Sequence, residues 1–375
     1  MSYRILKDRN CVANIATHEE FLATRRFSVL DGLRGIAILL VFTAHPRYPD
    51  FWPYFYGSAG VTIFFVLSGF LITTLLLREE SKFGKIDLSG FFIRRLFRLC
   101  PMYLSIFSVY CLLILVLGLE ASRRSGFELN IPYFLFLFPE HSMFFNSSGT
   151  AVPFDGAWSM GIEEKFYLVW PIIGFVFLAG FRRARPYVLC ALALGLGAIS
   201  FLPIWGQLFA PYTHLVLGAL VSVMLHSKRG YGLLSQAGRG PVLVTIVITA
   251  LALRFGSHQG PLYIVYGIVI AALVAGIVTT RTSGVNFLTS RFLIYTGTLS
   301  YVLYLIHNFG LNAAEMIIPE TWGLIGSLIS TVLGIGVSYI AAALIHRYFE
   351  EPCRQIGVRI AKRRRVQRVN DISQR

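Results

Sequence analysis

The sequence predicts an all-α, polytopic integral membrane protein with about ten transmembrane helices and both termini in the cytosol. Three observations predict it. First, 55% of the 375 residues are hydrophobic and only 14% are charged, against about 25% charged in ordinary soluble domains. Mean hydropathy is +0.64. Second, apolar runs alternate with charged or Gly/Pro punctuation along the chain. Many approach the roughly 20 helical residues that a bilayer core about 30 Å thick requires. Third, Lys and Arg gather on alternate connections. With the N-terminus inside, 28 of the 34 fall in cytosolic segments, Arg34 lies just within the first span, and only Arg47, Arg123, Arg124, Lys165 and Arg254 fall outside. That bias sets orientation. It also accounts for most of the net charge of +15 without a nucleic acid partner. The segment "KRRRVQR" adds attraction to anionic lipid.

The elements follow in order. Residues 1–30 are polar and mixed in charge, which reads as a cytosolic arm and not as a cleavable signal peptide. The first span, 31–45, should stop where Pro46 follows. Such a helix covers only ~21–23 Å, so its outer end is expected below the membrane surface. The second span is 57–77. A basic connection, 78–98, leads to the third at 99–119. The outer loop 120–164 is the longest, and its run "IPYFLFLFP" (131–139) is too short to span. It reads as an interfacial or re-entrant piece. The remaining spans are 166–180, 187–204, 211–225, 241–255, 261–280, 292–309 and 323–345. Several are near 15 residues, so nine or eleven spans remain open. The expected organisation is an arm (1–30), one membrane domain (31–352) and a basic cytosolic tail (353–375). No internal repeat is evident, which argues against an inverted-repeat transporter. The five cysteines show no CxxC spacing or Cys/His cluster, so they read as unpaired small hydrophobes with no metal site.

Ionisable groups within spans are functional hypotheses first. Arg34 and His45 are eleven helical steps apart, a rotation of ~1100°, within ~20° of three full turns. Both would face one way, ~16 Å apart along the axis, with His45 at the floor of an outward-facing vestibule. A snorkelling arginine with an interfacial histidine is the competing reading. In "GVTIFFVLSGF", Gly60, Ser68 and Gly69 suit close helix approach. Arg94, Arg95 and Arg98 cluster where a cytosolic connection meets the third span. The cluster suits phosphate groups, or simple positive-inside anchoring. In "AWSMGIEEKFYLVWP", Ser159 and Glu163 stand one above the other if helical. Glu163, on the same side as His45, would orient and charge-support that imidazole; solvated acids beside Trp158 in an aromatic belt is the bland alternative. In "TLSYVLYLIHNF", Ser300, Tyr304 and His307 share a stripe, with His307 at the outer end.

Taken together, these residues resemble the acyltransferase-3 family of membrane acyltransferases, which O-acylate surface polysaccharides, lipopolysaccharide O-antigen and some secreted small molecules. The resemblance runs from about residue 28 to 352. The family's arginine–ten residues–histidine pattern falls on Arg34 and His45, and its "FFxxSG" on Phe64, Phe65, Ser68 and Gly69. Its arginine-rich motif falls on Arg94, Arg95 and Arg98, and its serine–three residues–glutamate within "WSxxxEE" on Ser159 and Glu163. "SYxLYLxH" falls on residues 300–307 and "FExP" on Phe349, Glu350 and Pro352. Each motif alone is weak; six in order are specific. Where members often carry an arginine, this chain has Pro211, Tyr212, Thr213 and His214, and Asn308 and Phe309 follow His307. Some members carry a fused hydrolase-like domain; none is expected here, and the membrane domain is expected both to accept and to deliver the acyl group.

The resemblance implies a cytosolic acyl-CoA donor, most often acetyl-CoA, as co-substrate, with no bound cofactor. It implies an outer acceptor, a glycan or glycolipid hydroxyl, at a bacterial inner membrane. Arg34, Arg94, Arg95, Arg98, Ser68 and Gly69 are then the expected donor-binding residues. His45 is the expected general base with Glu163 in support, or else the nucleophile of an acyl-histidine intermediate. Trp158, Ser159, Tyr304 and His307 are candidates for acceptor binding or support. Non-enzyme rivals are a proton-coupled transporter using Arg34, His45 and Glu163, and a glycan-binding or flipping protein.

Overall fold

A computed structural model describes residues 17–43, 58–145, 152–202, 206–254, 261–280 and 282–373. Those residues are helical and contain no β-strand. In chain order the helices are α1 (His18–Ala23), α2 (Ser28–Phe42), α3 (Ser58–Phe83), α4 (Leu88–Cys111), α5 (Arg124–Leu135), α6 (Glu140–Phe144), α7 (Trp158–Ile172) and α8 (Arg185–Ile199). There follow α9 (Gly206–Leu225), α10 (Lys228–Leu234), α11 (Gly240–Arg254), α12 (Pro261–Thr279), α13 (Arg291–Ile317), α14 (Gly323–Ile345) and α15 (Glu351–Ser373). The chain forms two compact units. One holds α1, α2, α3 through Leu77, α8 to α12 and α13 through Ser300; the other holds α4 to α7, α13 from Tyr301, α14 and α15.

The first unit is built on small residues at helix crossings. A Cβ at Gly35 would overlap the Leu293 carbonyl of α13, and one at Gly297 the Asp31 carbonyl of α2. Gly69 and Gly218 do the same between α3 and α9, against the carbonyls of Leu215 and Val66. Lipid offers no hydrophobic drive for helices to associate, so backbone proximity and side-chain hydrogen bonds hold them. Thr74 and Ser222 share such a bond at 2.8 Å between α3 and α9. The arm is packed where it is described. Thr17 accepts from the Glu20 N–H at 3.2 Å, and the Glu20 carboxylate accepts from the Thr17 N–H at 3.0 Å. This reciprocal cap starts α1 and lets Phe21 bury fully among Phe27, Leu30 and Tyr231.

The second unit is marked by π-helical turns, Leu112–Val116, Ile173–Phe177 and His346–Glu350, which continue α4, α7 and α14. Their closing amides bond five residues back: Leu117 to Leu112 at 3.0 Å and Leu178 to Ile173 at 3.1 Å. The third turn has a cause in sequence. Pro352 carries no N–H and its ring would collide with the Tyr348 carbonyl in a regular helix; the wider turn relieves that and starts α15. α15 then packs along α4, where a Cβ at Gly357 would strike Phe97.

Several boundaries differ from the sequence expectation. α2 ends at Phe42, with Thr43 donating to the Leu40 carbonyl at 2.7 Å. No single described helix therefore carries the eleven steps from Arg34 to His45, and His45 itself lies outside the described residues. α3 runs six residues past 77 through "REESKF". α4 begins at Leu88 instead of 99, because the Asp87 side chain accepts from the Gly90 N–H at 3.2 Å. Arg94, Arg95 and Arg98 are therefore helical. The segment 131–139 forms the end of α5 and a turn to α6, and most of the basic tail is helix α15.

Among the described residues, five helical stretches are long and apolar enough to cross a membrane: Ala59–Phe83, Leu88–Val116, Leu208–Leu225, Pro261–Thr279 and Gly323–Gln367. A sixth arises if Lys228–Gly238 and Gly240–Leu253, which meet at 73°, make one broken span. α2, α7, α8 and α11 have 15 residues each, a length of about 22 Å.

Candidate functional site

In the second unit, α4 and α7 bring the basic cluster and the predicted glutamate into one line. The Arg95 guanidinium lies 5.4 Å from the centre of the Tyr167 ring and 5.7 Å from that of Phe91. The Tyr167 hydroxyl donates to the Glu163 carboxylate at 2.7 Å. Tyr167 is one helical turn beyond Glu163, so both lie on one face of α7. The ring thus takes a cation on its face and gives its proton to an anion at its edge. Arg94 approaches the Glu79 carboxylate at 3.5 Å. Arg98 is half-buried and makes no hydrogen bond or ion pair among the described residues.

A second constellation joins α7 to α13. The Tyr304 hydroxyl donates to the Gly156 carbonyl at 2.8 Å and accepts from the Ser159 hydroxyl at 2.7 Å. A carbonyl can only accept, so the chain runs one way: Ser159 to Tyr304 to Gly156. Ser159 therefore has its proton committed and presents only lone pairs. One turn further, Nδ1 of His307 stands 2.7 Å from the Tyr304 carbonyl. That nitrogen carries the proton, and in the neutral ring Nε2 is the basic atom. His307 and Ser159 are both buried. Trp158 packs edge-on against Phe144 at 5.6 Å.

Local folding explains how α7 is presented. Leu137 adopts φ 62°, turning the chain out of α5 so that its carbonyl accepts from Lys165 Nζ at 3.2 Å. Lys165 also pairs with the buried Glu140 carboxylate, which occupies space that a side chain at Gly161 would fill. Between α5 and α6, His141 stacks flat on Tyr133 at 3.5 Å, and its Nδ1 donates to Asn130 Oδ1 at 3.2 Å. Burial holds the His141 ring below its ordinary pKa, against the opposing pull of Glu140.

In the first unit, Arg34 donates from Nη2 to the Ser300 hydroxyl at 3.2 Å and lies 6.0 Å from the Phe64 ring centre. Ser68 is half-buried. Gly69 serves the α3–α9 crossing. His214 is fully buried, with Nε2 at 3.2 Å from the Tyr263 carbonyl and the two rings edge-to-face at 4.4 Å.

Sequence reasoning missed Tyr167, whose signal is its spacing of four from Glu163. It set Glu164 beside Glu163 at the edge of the span but gave it no role; its two carboxylate oxygens are buried without a hydrogen-bond partner among the described residues. Glu79 was missed because it sits in a stretch read as a connection.

An all-helical fold with several membrane-length helices, six motifs in order and these two constellations defines a membrane acyltransferase class. Residues 27–347 match the Acyltransferase domain family, acyltransferase 3, and the chain belongs to that family. Curated relatives agree. The peptidoglycan O-acetyltransferase OatA of Listeria monocytogenes is 29% identical over 366 residues, covering 88% of this chain and 56% of its own length. YrhL of Bacillus subtilis, a candidate peptidoglycan O-acetyltransferase, is 29% identical over 367 residues, covering 89% of this chain and 56% of its own. A candidate O-acetyltransferase of Staphylococcus aureus is 26% identical over 356 residues, covering 88% and 58%. The chain thus spans a little over half the length of these relatives. No solved structure matches it.

Proposed function

We propose that the protein is a transmembrane O-acyltransferase that moves an acetyl group from cytosolic acetyl-CoA to a hydroxyl of a glycan at the outer face. The observation that carries this reading is the family match over residues 27–347, joined to curated relatives whose names give O-acetyl transfer. Two of those names specify peptidoglycan, which favours a cell-wall glycan over O-antigen or exopolysaccharide as the acceptor.

The chemistry is an ester exchange. An acceptor hydroxyl attacks the thioester carbonyl, and His45 takes its proton. The tetrahedral intermediate then expels the CoA thiolate, which is protonated to free thiol. A positioned base of this kind contributes about 10²–10⁴-fold. Glu163 supports the imidazolium; Tyr167, donating to its carboxylate at 2.7 Å, fixes the orientation. Arg94, Arg95 and Arg98 take the donor's phosphates, Arg95 held between two rings. In the first unit, Arg34 and Ser68 are further donor contacts, and Gly69 keeps α3 close to α9. The attacking hydroxyl gives its one proton to His45, so Ser159 and His307 Nε2 would accept from other hydroxyls of the acceptor glycan. The test is direct: purified protein with acetyl-CoA and a muropeptide acceptor, scored for free thiol and for new ester. Both are expected, and both are lost in His45→Ala. An ester that forms equally well in His45→Ala would overturn the role of that residue.

A further inference from the structure

Residues 351–373 lie beyond the part of the chain that matches the family, and sequence reading treats them as a charged tail. In the second unit they are instead helix α15, laid along α4. Gly357 seats against Phe97 and Ala361 is buried. That docking carries Arg365 to the same carboxylate that Arg94 approaches. Arg365 Nη1 is 3.8 Å from Glu79 Oε1, and Arg94 Nη2 is 3.5 Å from Glu79 Oε2. The Arg365 guanidinium lies 3.6 Å from the Phe83 ring centre.

These distances are longer than the roughly 2.7–2.9 Å of a closed guanidinium–carboxylate hydrogen bond. Glu79 instead accepts from the Asp87 N–H at 3.4 Å, and its side chain is only 13% exposed. The Arg94 and Arg365 side chains are 37% and 39% exposed. They therefore flank one carboxylate without being satisfied by it, and both are open to solvent. Arg98, one turn along α4 from Arg94, has no hydrogen bond or ion pair among the described residues. Lys362 and Arg364 are exposed beside Arg365 on α15. The charge excess and planar forks suit phosphate oxygens, which accept two parallel N–H bonds from each arginine.

We infer that α15 supplies Arg365 to a phosphate-binding site shared with Arg94, that its ligand is the nucleotide phosphates of the acyl donor, and that Glu79 holds the two arginines apart until phosphate replaces it. The inference rests on the acyl-CoA reading given above. It extends the donor site to a helix outside the family match and gives Glu79 the role of internal competitor.

The experiment compares the whole protein with Arg365→Ala, Arg365→Lys and Glu79→Gln in nanodiscs of neutral phosphatidylcholine, measuring binding and thiol release with acetyl-CoA and with acetyl-pantetheine, which has no nucleotide. A hydrogen bond to a charged group contributes about 1.5–3 kcal/mol, so Arg365→Ala should raise KM and Kd for acetyl-CoA about tenfold or more. It should leave kcat and the response to acetyl-pantetheine within about twofold. Arg365→Lys should restore part of the loss, and Glu79→Gln should tighten acetyl-CoA binding severalfold. Wild-type affinity for acetyl-CoA in Arg365→Ala overturns the site, as does an equal loss toward acetyl-pantetheine, which marks a merely structural role. An effect of Arg365→Ala confined to nanodiscs containing phosphatidylglycerol assigns the arginine to lipid phosphate and overturns the donor assignment. A wild-type protein that neither binds acetyl-CoA nor releases thiol refutes the acyl-CoA reading itself, an outcome distinct from these.

Discussion

Tyr167 is the residue that ties the basic cluster to the glutamate. It has no charge, yet its ring lies under Arg95 and its hydroxyl donates to Glu163. Removing that hydroxyl keeps the ring and takes one hydrogen bond from the Glu163 carboxylate. Tyr167→Phe should therefore lower kcat for acetyl transfer by about tenfold, the effect of losing about 1.4 kcal/mol. Expression and KM for acetyl-CoA should change little. An unaltered kcat would show that Glu163 needs no such anchor. Spacing alone placed Ser159 and Glu163 on one face, and helix α7 does carry both. Spacing could not tell that Ser159 gives its proton to Tyr304, because Tyr304 is 145 positions from Ser159 and its own proton goes to the Gly156 carbonyl.

At the scale of elements, helix interiors were legible and helix ends were not. α9, α12 and α14 lie close to the apolar runs that predict them, because lipid or protein must cover those residues. α3 and α15 extend through charged stretches, because backbone hydrogen bonding continues wherever no proline or cap stops it. α3 ends where Gly84 takes φ 73° and Asp87 caps the start of α4, and hydropathy cannot register a cap. The contact between α5 and α6 yields a pH prediction. Burial keeps the His141 ring below its ordinary value of 6.5, so the fold favours the neutral ring. The unfolded chain takes up the proton first, so stability is full above about pH 6.5 and declines as pH falls below it. The melting temperature of the wild type should drop more between pH 7.5 and 5 than that of His141→Gln. Parallel curves for the two proteins would remove His141 as the cause.

At the scale of the whole molecule, the protein is a multi-pass membrane member of the acyltransferase 3 family. The expected count of ten spans rested on short apolar runs, and four of these became 15-residue helices. A run that short reports burial as readily as lipid contact, which is why five or six long helices are found among the described residues. The positive-inside rule predicts one cytosolic side for 28 of the 34 basic residues, and the proposed donor site belongs to that side. The proposed reaction is therefore transfer across a membrane. The protein would be reconstituted in vesicles with its basic side outward, labelled acetyl-CoA added outside and a muropeptide acceptor sealed inside. Labelled ester on the enclosed glycan is expected, with free thiol released outside, both absent in His45→Ala. Intact thioester, with no label inside, would contradict the proposed reaction.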